Sequence, residues 1–169
     1  LFSDRGYDGL VLKIALSGVE FSGNIATVAA GESWDLFVHS SIERGLAGIE
    51  CLSGIPGLAG ATPIQNVGAY GQDVSSVIDQ VHVVSRTDGT LSTLSNSDCE
   101  FAYRDSIFKH GRLDHDVVVG VRFRLQRGGA PTIAYAELER AVTEHNKTLS
   151  LQRVRDIVIQ LRRRKSMVL

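Results

Sequence analysis

The sequence predicts an α+β fold, with strand signals through most of its first 127 residues and helix signals gathered behind them. Three observations carry this. In "VEFSGNIATVAAG" a Ser-Gly-Asn turn at Ser22–Asn24 separates two strand-like runs. In "DVVVGVRFRLQR" (Asp116–Arg127) a Val run passes into alternating Arg and apolar residues, a strand pattern. In "SLQRVRDIVIQLRRRK" Ser150 stands as a cap and Val154, Ile157, Val158 and Leu161 recur at i, i+3, i+4 and i+7, the stripe of an amphipathic helix.

The elements follow in order. "GLVLKIAL" (Gly9–Leu16) reads as a strand, and the hairpin comes next. Ser33 is placed to cap a helix whose Trp34, Phe37, Val38, Ser41 and Ile42 share one face, and Gly45 is placed to stop it in the left-handed conformation. Trp34 is expected in the core. After a Gly-rich segment, "VIDQVHVVSRTDGTLSTL" reads as strand signal broken by a two-residue turn at Asp88-Gly89. "FAYRDSIFKH" is compact and mixed, and the Asp116–Arg127 strand follows. "QRGGAPT" (Gln126–Thr132) has the punctuation of a linker or domain boundary, and "YAELERAV" reads as a short helix.

With 169 residues, 43% hydrophobic and 22% charged, the chain suits one ordinary domain, or one domain with part of another. A formal charge of −1 gives no global electrostatic case for nucleic acid or an anionic membrane. The uncharged run Cys51–Gln72 is long enough to span a bilayer. Its prolines and glycines, with Gln65 and Asn66, would leave polar groups unsatisfied in lipid, so a membrane span is rejected. No secretory leader is visible. Cys51 and Cys99 match no metal or redox motif; Cys51 reads as a small buried hydrophobe, and a reducing compartment is favoured. His110 and His115, with Asp114 and Asp116, fit no usual metal spacing and read as a solvated loop. Both ends, "LFSDRGYDGLVLKI" and "RRRKSMVL", look cut from a longer protein.

The segment "IPGLAGATPIQNVGAYG" (Ile55–Gly71) is too apolar for an ordinary loop and too broken for a regular element. Its glycines let another group approach the backbone and let amide N–H groups aim at an anion or a ring carbonyl. Pro56 and Pro63 stiffen it, while Gln65 and Asn66 offer donors and acceptors suited to the edge of a heterocycle. It is neither a P-loop nor a G-x-G-x-x-G fingerprint. A buried structural loop crossing the core is the other reading that composition allows.

"GIECLSGIPGLAGATPIQNVGAYG" closely resembles the flavin-binding segment of the UDP-N-acetylenolpyruvoylglucosamine reductase (MurB) family. "FAYRDSIFKH" is similar to the family's Tyr-Arg-x-Ser block at the expected distance. The resemblance covers essentially the whole chain as the middle of a longer enzyme. It implies the second lobe of a vanillyl-alcohol-oxidase/PCMH-type FAD-binding domain over 1–127 and the start of the substrate domain over 128–169. It implies that NADPH reduces bound FAD, and that hydride then passes to the enolpyruvyl ether of a UDP-sugar in cytoplasmic peptidoglycan synthesis.

Residue by residue, the resemblance carries flavin contact to Pro56, Gly57, Gly60, Ala61, Thr62, Ile64, Gln65, Gly68, Tyr70 and Val118. Arg104 matches the family's catalytic arginine. A guanidinium meets a carboxylate bidentately and stays charged, which suits charge building toward the enolpyruvyl carboxylate. From the residues alone, Arg104 could instead pair with Asp98 or Asp105 at the surface. Tyr103, assigned with Arg104 and Lys165 to substrate binding, is expected to pack and hydrogen-bond nearby, with Asp105 and Ser106 setting the turn. Lys165 matches a family lysine that meets the nucleotide part of the substrate. The arginines beside it suit a helix C-terminus electrostatically. The family's Gly-Ser-Phe-Phe block, its C-terminal Glu and its pyrophosphate loop have no counterpart here, so the chain alone is expected to be inactive and to hold FAD weakly or not at all. Another flavin oxidase of the same fold and a non-catalytic remnant are the alternatives.

Overall fold

The computed structural model describes residue 4 and residues 6–110, 116–143 and 149–167. The hairpin forms as β1 (Val19–Ser22) and β2 (Ile25–Ala29), with Gly23 at φ 63° in the turn. Helix α1 (Trp34–Glu43) buries the five residues whose spacing defines its inner face, and Gly45 ends it at φ 68°. The Gly-rich region is built of short pieces, among them β3 (Leu46–Ala47), a 3₁₀ turn at Glu50–Leu52, α2 (Thr62–Gln65), β4 (Gly68–Ala69) and β5 (Gln72–Asp73). Strands β6 (Ile78–Ser85), β7 (Leu91–Ser95), β8 (Asp116–Arg124) and β9 (Gln126–Arg127) follow, then α3 (Ala136–Thr143) and α4 (Leu151–Arg164).

Strands β1, β2, β8, β6 and β7 lie in that order in one antiparallel sheet. The Val run puts β8 near its centre, between β2 and β6. Arg122 and Arg124, on the solvated side of the alternation, both reach Asp79, at 3.1 and 2.8 Å. A register shift between Ile78 and Gln80 puts Asp79 at an irregularity of β6.

Helix α1 covers this sheet through Trp34, Phe37 and Phe123, whose ring centroids lie 5.0 to 5.8 Å apart in tilted pairs. Each such pair is worth about 0.5–1.5 kcal/mol beyond its buried area. The indole N–H of Trp34 donates to the Leu52 carbonyl at 3.1 Å, so the Gly-rich region is tied to this core. A second cluster joins Cys51 and Leu138 to Val154, Ile157, Val158 and Leu161, so the predicted stripe of α4 packs against the 3₁₀ turn and α3.

Four expectations are corrected. Gly9–Leu16 forms no strand: Leu10, Val11 and Leu12 are exposed, and no described strand pairs with them. Apolar content alone does not make a strand without a neighbouring ladder. Ser33 sits at the N-cap of α1 with extended backbone, but its side chain caps nothing. The Asp88-Gly89 turn is not two residues long. Ser85 N–H bonds the Thr90 carbonyl across the loop Arg86–Gly89, and Asp88 accepts from the Thr90 N–H, an Asx turn that stretches the connection. Tyr103 packs nearby, its ring against Arg104, but it is 84% exposed and its hydroxyl makes no hydrogen bond among the described residues. Asp114 and His115 lie outside the described residues.

Candidate functional site

The Gly-rich segment leaves α1 and returns through turns that special backbone angles permit. Gly54 and Gly57 have φ 70° and 126°, and Asn66 ends α2 in the left-handed region at φ 41°. Strands β4 and β5 are joined by Tyr70-Gly71, both at positive φ (50° and 85°), the geometry of a type I′ hairpin. Tyr70 occupies a conformation that usually falls to Gly or Asn, and its ring lines a cleft.

That cleft has a volume of about 500 Å³. It is lined by the β4–β5 hairpin, by Tyr103 and Arg104, by Tyr135, and by Arg162 and Lys165 at the end of α4. Five residues predicted for the site therefore meet: Gly68, Tyr70, Tyr103, Arg104 and Lys165.

Arg104 sits at the tip of a tight turn closed by reciprocal Ala102–Asp105 backbone bonds of 3.1 Å, and its own φ is 55°. A non-glycine residue held there is strain of the kind that gathers at functional sites. The turn is fastened from both sides. Asn66 donates to the Ala102 carbonyl at 2.7 Å, and the buried Ser106 hydroxyl donates to the Ile64 carbonyl at 2.7 Å. The guanidinium donates to the carbonyls of Asn66 and Gly68, at 3.3 and 2.5 Å, and to Asp73 at 2.8 Å. Its acidic partner is thus Asp73; Asp105 pairs with His110 at 2.8 Å and Asp98 accepts from Ser95. Tyr103 lays its ring 4.9 Å from the Arg104 guanidinium carbon.

Across the cleft, Lys165 reaches Glu137 at 2.6 Å and lies 5.9 Å from the centroid of the Tyr70 ring. The Glu137 hydrogen bond raises the Lys165 pKa, so the ammonium is secure. Burial raises the Tyr70 pKa, with Lys165 opposing, so the phenol stays neutral. Tyr135 meets Tyr70 edge-on at 5.7 Å.

The other predicted residues lie outside the cleft lining. Pro56, Gly57, Ala61, Ile64 and Gln65 are exposed, Gly60 and Thr62 are buried, and Val118 is in the main core. Several amides of the segment are engaged within the protein: Ala59, Gly60, Ala61, Asn66 and Val67 N–H groups all donate to backbone carbonyls. Asn66 is likewise engaged at both ends of its amide. What the segment does offer is an uncharged exposed strip. A Cβ on Gly57 would meet nothing within 4 Å, and the Gln65 amide has no partner among the described residues. A flat ring with a polar edge fits such a strip.

Sequence reasoning passed over Asp73, Gln72, Glu50 and Tyr135. The available signal was Glu50 and Asp73 flanking a long uncharged run at either end.

Residues 1–95 match the model of a family described as FAD binding domain. The chain belongs to that FAD-binding family. Over an alignment of 172 positions the chain is 46% identical to a UDP-N-acetylenolpyruvoylglucosamine reductase of Streptomyces coelicolor, covering 100% of the chain and 45% of that relative. It is 44% identical to the reductase of the same name from Saccharopolyspora erythraea, covering 99% and 47%. The chain therefore spans about half the length of the curated relatives it matches. A crystal structure of UDP-N-acetylenolpyruvylglucosamine reductase (MurB) from Thermus caldophilus shares the fold at a TM-score of 0.59. It is 23% identical, with 81% of this chain and 42% of that one covered. The resemblance read from the Gly-rich segment and the YRDS block is borne out, as is the α+β fold. No described helix is long and apolar enough to cross a membrane.

Proposed function

We propose that this FAD-binding chain is the central part of a UDP-N-acetylenolpyruvoylglucosamine reductase. In this reading the whole protein uses NADPH to reduce the enolpyruvyl ether of UDP-N-acetylglucosamine to UDP-N-acetylmuramate, a peptidoglycan precursor, in the cytoplasm. The observation that carries the reading is the cleft that gathers Arg104, Lys165, Tyr70 and Tyr103 beside the Gly-rich segment. The identity to proteins of that name supports it.

Bound FAD supplies the hydride-carrying ring. Pro56, Gly57, Gly60, Ala61, Thr62, Ile64, Gln65, Gly68, Tyr70 and Val118 are the residues assigned to holding it. The exposed strip supplies apolar contact, and Gln65 supplies the polar edge. Arg104 takes the carboxylate of the enolpyruvyl group. Its Nη1 and Nη2 already serve Asn66, Gly68 and Asp73, which leaves one N–H on Nη2 and that on Nε for a bidentate contact. A cation fixed where negative charge develops stabilises the transition state by about 3–4 kcal/mol. Lys165 and Arg162 meet the diphosphate of the sugar nucleotide as cations on the opposite wall. Residues 1–127 are read as the FAD-binding lobe and 128–169 as the opening of the substrate domain.

The test is turnover of the UDP-sugar enolpyruvyl ether by the intact protein, with Arg104→Ala as the variant. A loss of about 100- to 1000-fold in kcat is expected. Full activity in the variant, or no activity with this substrate in the unaltered holoenzyme, overturns the reading.

A further inference from the structure

We propose that Asp73 is a positioning residue that holds the Arg104 guanidinium in its working orientation; this rests on the role given to Arg104 above. The cleft carries a mismatch of charge. The cleft is assigned an anionic substrate, yet a carboxylate stands in its wall. A group that only attracted anions would be stronger without Asp73, because the negative charge repels a substrate carboxylate. The geometry gives Asp73 another use. Its Oδ1 accepts from Nη1 of Arg104 at 2.8 Å, while the carbonyls of Asn66 and Gly68 take the neighbouring donors. Three acceptors on one flexible side chain fix the plane of the guanidinium and leave two N–H groups free of partners among the described residues.

Two further observations show that the surroundings are built around this pair. Gly68 has an ordinary backbone φ, so conformation does not require a glycine there. A Cβ at that position would overlap the Asp73 carboxylate and crowd Nη1 of Arg104. The glycine therefore makes room for the ion pair. Next to Asp73, Gln72 anchors the hairpin: its amide donates to Glu50 at 2.9 Å and accepts from Cys51 N–H at 2.8 Å. Glu50 is fully buried and also takes the N–H groups of Gly48 and Thr132, at 2.7 and 3.0 Å. Asp73 thus stands on a strand fixed from beneath, which is what a support for another side chain requires.

The experiment uses the intact FAD-loaded protein with Asp73→Asn, Asp73→Glu, Arg104→Ala and the double variant Arg104→Ala/Asp73→Asn. Turnover, calorimetric affinity for the lactyl-carboxylate product, and melting temperature are read together. Positioning predicts that Asp73→Asn lowers kcat about 10- to 100-fold with product affinity unchanged or tighter and the melting temperature retained. Asp73→Glu recovers part of the loss, and the double variant is no slower than Arg104→Ala alone. Three outcomes overturn the inference while leaving Arg104 in place. These are an unchanged or raised kcat in Asp73→Asn, a fall in kcat matched by an equal loss of product affinity or by a lowered melting temperature, and additive losses in the double variant. If Arg104→Ala itself is harmless, the reading of the site fails and the role of Asp73 fails with it.

Discussion

Arg155 and Asp35, 120 positions apart, meet through two hydrogen bonds of 2.6 and 2.8 Å. The guanidinium on α4 is nearly buried, and the carboxylate on α1 also accepts from the Gly54 N–H at 2.6 Å. Arg162, one helical stretch further, donates to the Gly54 carbonyl at 3.1 Å. The last helix is thereby clasped to the first one and to the start of the Gly-rich segment. The same helix ends in the cleft, so this clasp places Lys165.

The clasp predicts an acid-sensitive stability. Burial alone would raise the Asp35 pKa, but hydrogen bonds from Arg155 and Gly54 outweigh it, and the carboxyl lies below its ordinary value of 3.8. A lowered folded pKa gives stability that is present above pH 3.8 and is lost as pH falls below it. Asp35→Asn leaves a nearly buried arginine without its charge partner. The expected cost is about 1–3 kcal/mol, less than for a fully buried pair because Asp35 is one-third exposed. Urea unfolding at neutral pH and near pH 3 checks this: the gap between the two proteins should narrow in acid.

Both thiols should be silent in the folded state. Burial pushes Cys51 and Cys99 up to about 12, with Glu50 and Asp98 adding to it. At mild alkaline pH a thiol reagent should label neither until denaturant is added, when two thiols per chain react. Since the unfolded thiols ionise near 9.0, their contribution to stability is present below that pH and declines as pH rises toward 12. Rapid native labelling of either cysteine would contradict the burial.

Gln65 tests the flavin strip. Its side chain is exposed and engages no described residue, so Gln65→Ala should leave the melting temperature of the apoprotein unchanged. Loss of one hydrogen bond of about 1 kcal/mol should weaken FAD about fivefold in the intact protein, measured by quenching of flavin fluorescence. Equal FAD affinity in the two proteins removes Gln65 from the cofactor contacts.

Lys165 tests the opposite wall. Lys165→Met keeps the stem against Tyr70 and removes the charge. The expected result is about a tenfold weaker binding of the UDP-sugar, seen as a higher KM with kcat little changed, and a shallower dependence on salt. A fall in kcat alone would place the lysine with the reacting group instead.

Much of the fold was legible in the sequence because it rests on local patterns. The inner face of α1, the stripe and Ser150 cap of α4, the first hairpin and the central β8 all follow from spacing and turn chemistry. The resemblance also marked Arg104, Tyr70 and Lys165, which the cleft then brought together. Where the local signal misled, a non-local requirement was missing or added. Gly9–Leu16 has strand composition without a ladder, and Asp88 uses its side chain to lengthen a loop.

The sequence by itself determined the α+β class, the inner faces of the helices and the family. Only the tertiary structure decided that Asp73 holds Arg104, that Glu50 and Gln72 stand beneath the hairpin, and that Asp35 fastens α4. The reason is physical. Periodicity reports which way a side chain faces within its own element. An ion pair or a buried hydrogen-bond network instead joins residues from different elements, 31 positions apart for Asp73 and Arg104 and 120 for Asp35 and Arg155, and only packing brings them together.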